Sequence, residues 1–197
     1  MSDQYQQAIK RYRQRIYSFA HYSLRAREDA EDITQEVFIK LWRHWQKIDH
    51  EKLNAWLMRV AHNAVIDHVR RRKNDQLQLD DYAEPQEQAA SYEDAGARVD
   101  QDAFRDELMA GIRALDDPFR SIIIMRDVQG QSYIDIQHTL DISASQVKVY
   151  LHRARRKLRE NKTLRKRFQQ MSVAGEQSGV SAEVAMHRDQ PVTDSLQ

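Results

Sequence analysis

Between residues 4 and 75 the chain carries apolar positions at helical spacing, with no proline or glycine to interrupt them. Ile9, Tyr12, Ile16 and Phe19 follow one another at intervals of three, four and three, which predicts a helix from about Tyr5 to Ala20. A second helix is predicted from Arg27 to about Gln46, with Ala30, Ile33, Val37 and Leu41 as its buried stripe. A third runs from about Leu53 to Lys73 and buries Leu53, Leu57, Val60 and Ala64. Three helices with short connections make a compact helical unit. The pattern then breaks. Residues 76–102 are acidic, polar and nearly aperiodic, as expected of a linker that is flexible or ordered against a partner. Periodicity returns with Phe104, Leu108, Ile112 and Leu115, resumes from Pro118 through Met125, and fades after about residue 170 into a polar tail expected to be mostly disordered.

The stretch 131–159 reads as two short helices around a tight turn. Ile134, Ile136, Leu140 and Ile142 are its first apolar points, and Asp141-Ile142-Ser143 forms the turn. Ser143 or Ser145 stands where an N-cap is needed. Val147, Leu151, Ala154 and Leu158 then form one apolar stripe. The opposite side carries Ser145, Val149, His152, Arg153 and Arg156, flanked by Lys148 and Arg159. A helix with one apolar and one basic, hydrogen-bonding side after a tight turn is what a helix-turn-helix presents to the major groove.

Composition narrows the class. Five glycines and three prolines in 197 residues, with abundant helix formers, argue for an all-α protein. The net charge is only +1, yet residues 148–167 hold ten Lys or Arg and one acid, while residues 75–107 hold eleven acids and two arginines. Such segregation provides a basic surface for a polyanion beside an acidic connector. The absence of cysteine removes disulfides, thiolate metal sites and a cysteine nucleophile, and fits a cytoplasmic chain. The first residues have no apolar core of a secretory signal, and no apolar run is long enough for membrane insertion.

Two faces of the first unit invite a function. On the second helix Asp32, Gln35, Ile39 and Trp42, with Glu36 nearby, share the side opposite the core stripe. A large aromatic and an isoleucine among polar groups suit a protein interface or packing on another helix of the same unit. Asp32 and Glu36 are a carboxylate pair, but nothing converges on them to build an acid–base or metal centre. The third helix places Arg59, Asn63, Ile66 and Arg70 on one side and ends in Arg70-Arg71-Arg72-Lys73. Basic residues with an amide and an aromatic, Trp56, suit a single strand with unstacked bases. The eight histidines are scattered, and His62 and His68 have a poor spacing for one metal. No cofactor is expected.

With these motifs in place, the order DAEDITQEVFIKLW, NAWLMRVAHNAVIDHVRRRK, an acidic linker and a helix-turn-helix ending VYLHRARRKL resembles an extracytoplasmic-function (ECF) sigma factor of bacterial RNA polymerase over roughly residues 5–165. The resemblance implies sigma region 2 in residues 1–75, an acidic linker in 76–103, region 4 in 104–167 and a tail in 168–197. It implies that Asp32, Gln35, Glu36, Ile39 and Trp42 meet the coiled coil of the polymerase β′ subunit, with the β subunit also contacted. Asn63 would read a flipped base of the −10 non-template strand, surrounded by Trp56, Arg59, Asp67, Arg70 and Arg71. Ser145, Gln146, Lys148, Val149, His152, Arg153 and Arg156 would meet the −35 duplex. Core polymerase, promoter DNA and an anti-sigma factor are the implied partners. Gln137 departs from the family at a position usually small, and Ser145-Gln146 stands where Gly-Thr is frequent. On the residues alone, a two-domain regulator with a sensing or dimerising N-terminal half, a nucleic-acid enzyme and an RNA-binding helical module are the alternatives.

Overall fold

The computed structural model describes residues 2–79, 96–161 and 164–165, and every regular element among them is helical. Most of the expected linker and the whole 168–197 tail lie outside the described residues. The elements are α1 (Ser2–Ser23), α2 (Arg27–His44), two 3-10 turns (Trp45–Lys47 and His50–Lys52), α3 (Leu53–Leu79), α4 (Gly96–Arg113), α5 (Phe119–Ile123), a π turn (Ile124–Val128), α6 (Tyr133–Leu140) and α7 (Ala144–Glu160). The all-α expectation holds. Helices α3 and α4 both extend into the stretch that aperiodicity marked as linker. Propagating a formed helix costs little where good helix formers follow, so amphipathic periodicity is not needed to lengthen it.

Helices α1, α2 and α3 pack around Ile16, Phe19, Val37, Leu41, Leu57, Met58 and Val65, all fully buried. The expected α2 stripe of Ala30, Ile33, Val37 and Leu41 is buried throughout. On α3 the buried arc is wider than one stripe. Met58, Ala61 and Val65 join Leu53, Leu57 and Ala64, and Val60 is only half-buried. The reason is that α3 packs on both α1 and α2, so two of its sides are covered. Asp29 Oδ2 at the start of α2 accepts from Arg72 Nη1 of α3 at 3.2 Å and lies 3.2 Å from His68 Nε2. Arg72 of the basic run therefore ties two helices together.

In the second unit α5 packs on α7, and Ile122 of α5, Ile124 and Met125 of the π turn, and Val147, Leu151 and Ala154 of α7 are all buried. Leu158, the fourth member of that stripe, is half-buried. The turn before α7 is built by Asp141, which takes a left-handed conformation at φ 56°, tolerable because a short Asx side chain suits that region. Ser143 then caps α7. Its hydroxyl accepts from Gln146 N at 3.3 Å, while Gln146 Oε1 accepts from Ser143 N at 2.8 Å. This reciprocal capping box satisfies two amides that the helix start leaves open. Ile136 of α6 is fully buried, whereas Ile134 is 64% exposed. After the last turn of α7, Leu164 sits over Gly111 of α4 so closely that an added Cβ would lie 2.9 Å from Leu164 Cδ1.

The two units touch. Helix α6 lies on α3, and α1 meets α4 and the π turn.

Candidate nucleic-acid and protein interfaces

The outward side of α2 is open. Asp32 and Gln35 are exposed, Glu36 is half-buried, and Ile39 and Trp42 are each 51% exposed. Trp42 makes one intramolecular ring contact, an edge-on approach by Tyr5 at 5.0 Å. Tyr5 is itself fixed by donating its hydroxyl to Phe38 O at 2.9 Å. Trp42 is thus divided: one edge packs on Tyr5 of α1, and about half of the side chain faces solvent. Glu36 pairs with Lys40 at 2.6 Å along the helix, a surface pair of small energetic weight. The result is an apolar patch rimmed by acids and an amide on a rigid helix, the composition of a protein-binding face.

On α3, Asn63, Asp67, Arg70 and Arg71 are exposed. Arg70 lies 3.7 Å from Asp67, with both side chains more than half exposed. Trp56 is half-buried, packed against the core with His44 at 6.1 Å. Only part of its ring is free for stacking. Arg59 is exposed but engaged, its guanidinium donating to the carbonyl of His138 at the end of α6. His62 follows one turn on, with Nε2 3.8 Å from Asp117 Oδ1 and Nδ1 3.4 Å from Asn63 Oδ1. Burial pushes the His62 imidazole below its ordinary value, against the opposing pull of the Asp117 carboxylate.

The outer side of α7 presents Ser145, Lys148, Val149, His152, Arg153 and Arg156, all exposed. Val149 is 44% exposed among these polar groups, where a thymine methyl would complement it. Ser145 Oγ lies 2.9 Å from Ser143 Oγ. Gln146 is partly engaged, its amide oxygen accepting from Ser143 N at 2.8 Å in the capping box while its NH2 stays available to donate. Arg156 is 3.5 Å from Glu160. Arg155 turns the other way and clamps Asp127 of the π turn through two bonds of 3.0 and 2.7 Å, which fixes α7 in orientation.

Sequence spacing did not disclose the contacts between the two units. Gln129 leaves the π turn and donates to Arg15 O at 2.7 Å and Ser18 Oγ at 2.9 Å. These partners stand more than a hundred residues apart, and nothing periodic marks them. Among the described residues there is no group of three or more His, Asp or Glu able to hold a metal, and no helix is long and apolar enough to cross a membrane.

Known proteins share this arrangement. Residues 8–74 match Sigma-70 region 2 and residues 105–158 match Sigma-70 region 4. The ECF RNA polymerase sigma factor SigW of Bacillus subtilis (strain 168) is 30% identical over 166 residues, covering 80% of this chain and 88% of the relative. SigM of the same organism is 30% identical over 144 residues, covering 73% and 86%. SigE of Mycolicibacterium smegmatis is 30% identical over 158 residues, covering 77% of this chain but only 59% of that longer relative. Among solved structures, the sigma factor RpoE in complex with the anti-sigma factor NepR from Bartonella quintana superposes with a TM-score of 0.61 at 21% identity, covering 80% of this chain and 95% of that one. CnrH in complex with the cytosolic domain of CnrY gives 0.58 at 23%, covering 80% and 86%. Both show the same fold. A sensor-type regulator with an unrelated N-terminal half does not account for a region 2 match in that half. The chain belongs to the extracytoplasmic-function sigma factors, the subunits that direct RNA polymerase to promoters.

Proposed function

We propose that residues 1–75 bind core polymerase and the melted −10 strand, that residues 104–167 grip the −35 duplex, and that residues 76–103 connect them, with 168–197 as a tail. The observation that carries the reading is the α2 face. Ile39 and Trp42 are half exposed beside Asp32, Gln35 and Glu36, while the opposite stripe of the same helix is buried. A folded helix that leaves so much apolar surface in water has it covered by a partner, here the β′ coiled coil, with the β subunit as a second contact. Asn63 captures a flipped base, with Arg70, Arg71 and Arg59 as phosphate contacts, Trp56 as the stacking edge and Asp67 holding Arg70. Lys148, Val149, His152 and Arg153 read the upstream duplex, and Ser145, Gln146 and Arg156 secure its backbone. The protein works in the cytoplasm, has no catalytic centre of its own and needs no cofactor. An anti-sigma factor of the kind seen with the structural relatives holds it off until it is needed.

The energetics fit a two-site reader. Extruding a base costs a few kcal/mol, and stacking on a side chain returns about 1–3 kcal/mol. A bidentate base contact discriminates by roughly 1–3 kcal/mol. Neither unit suffices alone, and a covalent connection raises the effective concentration of the second site once the first is bound. The test is in vitro transcription with core polymerase on a genomic library. Promoter-dependent transcripts above core alone are expected, and their absence overturns the reading. Asn63→Ala is expected to abolish permanganate-reactive promoter opening while core binding persists. Normal opening by that variant removes Asn63 from the strand site.

A further inference from the structure

Where α1 passes the start of α3 there is a cleft that none of the faces described above includes. It is lined by Arg11, Tyr12, Arg15 and Asn54 and has a volume of about 190 Å³. At roughly 30 Å³ per water that is space for about six waters, room enough for a phosphate group. Arg11 and Arg15 are exposed one helical turn apart, while Tyr12 and Asn54 are half-buried. The Arg11 guanidinium lies 5.3 Å from the centre of the Tyr12 ring. Arg15 Nη1 donates to Asn54 Oδ1 at 2.8 Å, which joins α1 to the first turn of α3.

Three of these four side chains offer donors only. A guanidinium has no acceptor, so the Asn54 oxygen faces Arg15 and its NH2 is left to donate. Among the described residues neither Arg11 nor Arg15 enters an ion pair, whereas Arg27, Arg70, Arg72, Arg120, Arg155 and Arg156 each face a carboxylate. Two cations one turn apart on a helix repel each other, and an anion between them removes that cost. The guanidinium fork matches phosphate oxygens, and a cation laid over an aromatic ring is a platform for an unstacked base. Asn54 precedes Trp56 by two residues, about 3 Å along the axis of α3, so the cleft lies level with the stacking edge of the strand site.

We propose that Arg11, Tyr12, Arg15 and Asn54 form a nucleotide-phosphate subsite, in which the two guanidiniums hold a backbone phosphate of the melted promoter strand and the Arg11–Tyr12 pair supports its base. The proposal rests on the reading of the N-terminal unit as the holder of that strand, and it adds a flank of α1 to the site. Asn54 acts as a positioning residue for Arg15 and as a donor to the phosphate. The subsite contributes affinity and holds the strand in place; it reads no sequence, because a phosphate is the same at every position.

The test is equilibrium binding of a single-stranded oligonucleotide carrying the −10 sequence to the holoenzyme, over a series of salt concentrations. Each phosphate contact on a single strand adds about 0.7 to the steepness with which log affinity falls against log salt. The Arg11→Gln, Arg15→Gln double variant is expected to lose about 0.7 of that slope and at least about tenfold in affinity at low salt, equally on promoter and scrambled strands. Asn54→Asp keeps an acceptor for Arg15 but sets a negative charge in the cleft, and it is expected to weaken the strand as well. A merely structural role for these residues would leave the slope unchanged, and an unchanged slope in the double variant overturns the subsite. Loss of core polymerase binding by the double variant, with strand affinity intact, also overturns it and makes the cleft a protein contact. Calorimetric titration of the full chain with ATP separates a free nucleotide from the strand: ATP binding that the double variant abolishes, beside an unchanged strand slope, overturns the strand as the source of the phosphate. A wild-type holoenzyme without preference for the promoter strand over a scrambled one removes the strand reading itself, whereas a wild-type preference with an unchanged variant slope removes the cleft alone.

Discussion

Ile33 and Ile39 lie on the same helix and differ in one property. Ile33 is 4% exposed and Ile39 is 51% exposed. The same truncation at the two positions therefore separates folding from binding. At Ile33, alanine removes fully buried carbons and leaves a cavity, which costs about 2–5 kcal/mol of stability. For a unit of this size each kcal/mol corresponds to roughly 4–8 °C, so melting drops by about 10 °C or more. At Ile39, half of the side chain is in water already, and full burial of an isoleucine is worth about 1.5–3 kcal/mol. Its truncation costs under about 1 kcal/mol, partly offset by the better helix propensity of alanine. The exposed half is what polymerase would cover, contributing about 1 kcal/mol, so Ile39→Ala should weaken core binding roughly fivefold with little change in melting. Adding Trp42→Ala should take the loss past about thirtyfold, as expected when a large interface aromatic is removed. Fluorescence titration with core polymerase, at one fixed salt concentration, reads the affinity, and thermal denaturation reads the stability. Undiminished binding by the Ile39→Ala, Trp42→Ala double variant would refute the assignment of this face. So would an Ile33→Ala protein that loses affinity without losing stability.

Ser143→Ala removes one half of the capping box and should destabilise the C-terminal unit by about 1 kcal/mol; thermal melting and amide exchange at the start of α7 would show it, and an unchanged first turn would contradict the cap. Arg153→Ala should weaken −35 duplex binding selectively; equal losses on scrambled DNA in a gel-shift titration would make Arg153 a phosphate contact. His62, facing Asp117 and Asn63 with Arg120 nearby, is held neutral by burial and so has a lowered folded-state value. Stability should therefore be complete above the ordinary value of 6.5 and decline as pH falls below it toward the lowered one. Melting curves between pH 8 and 5 would follow this, His62→Gln should flatten it, and a rise in stability on acidification would reverse the assigned cause.

Much of the fold was legible because burial on a helix has a fixed period. Ala30, Ile33, Val37 and Leu41 are buried as their spacing required, and the face left over is the exposed one. The capping serine narrowed to Ser143 only when backbone geometry fixed where α7 begins. Val60 was less predictable, since periodicity gives one stripe while α3 is covered on two sides. Of the surface groups, the exposed polar and basic residues on α7 were readable from their position opposite the stripe. Arg59 and Gln146 were not, because their polar atoms are engaged by a distant carbonyl and by the backbone of the preceding turn.

The sequence by itself determined the all-helical architecture, the order of the two sigma regions and the composition of each exposed face. These follow from local propensity and short-range spacing, which act within one or two helical turns. Only the tertiary structure decided that Arg72 braces Asp29, that Gln129 reaches α1, and that Arg59 and His62 meet the C-terminal unit. Contacts of that kind join residues far apart in the chain. They arise from how packed helices present their flanks to one another, and no local pattern encodes that geometry.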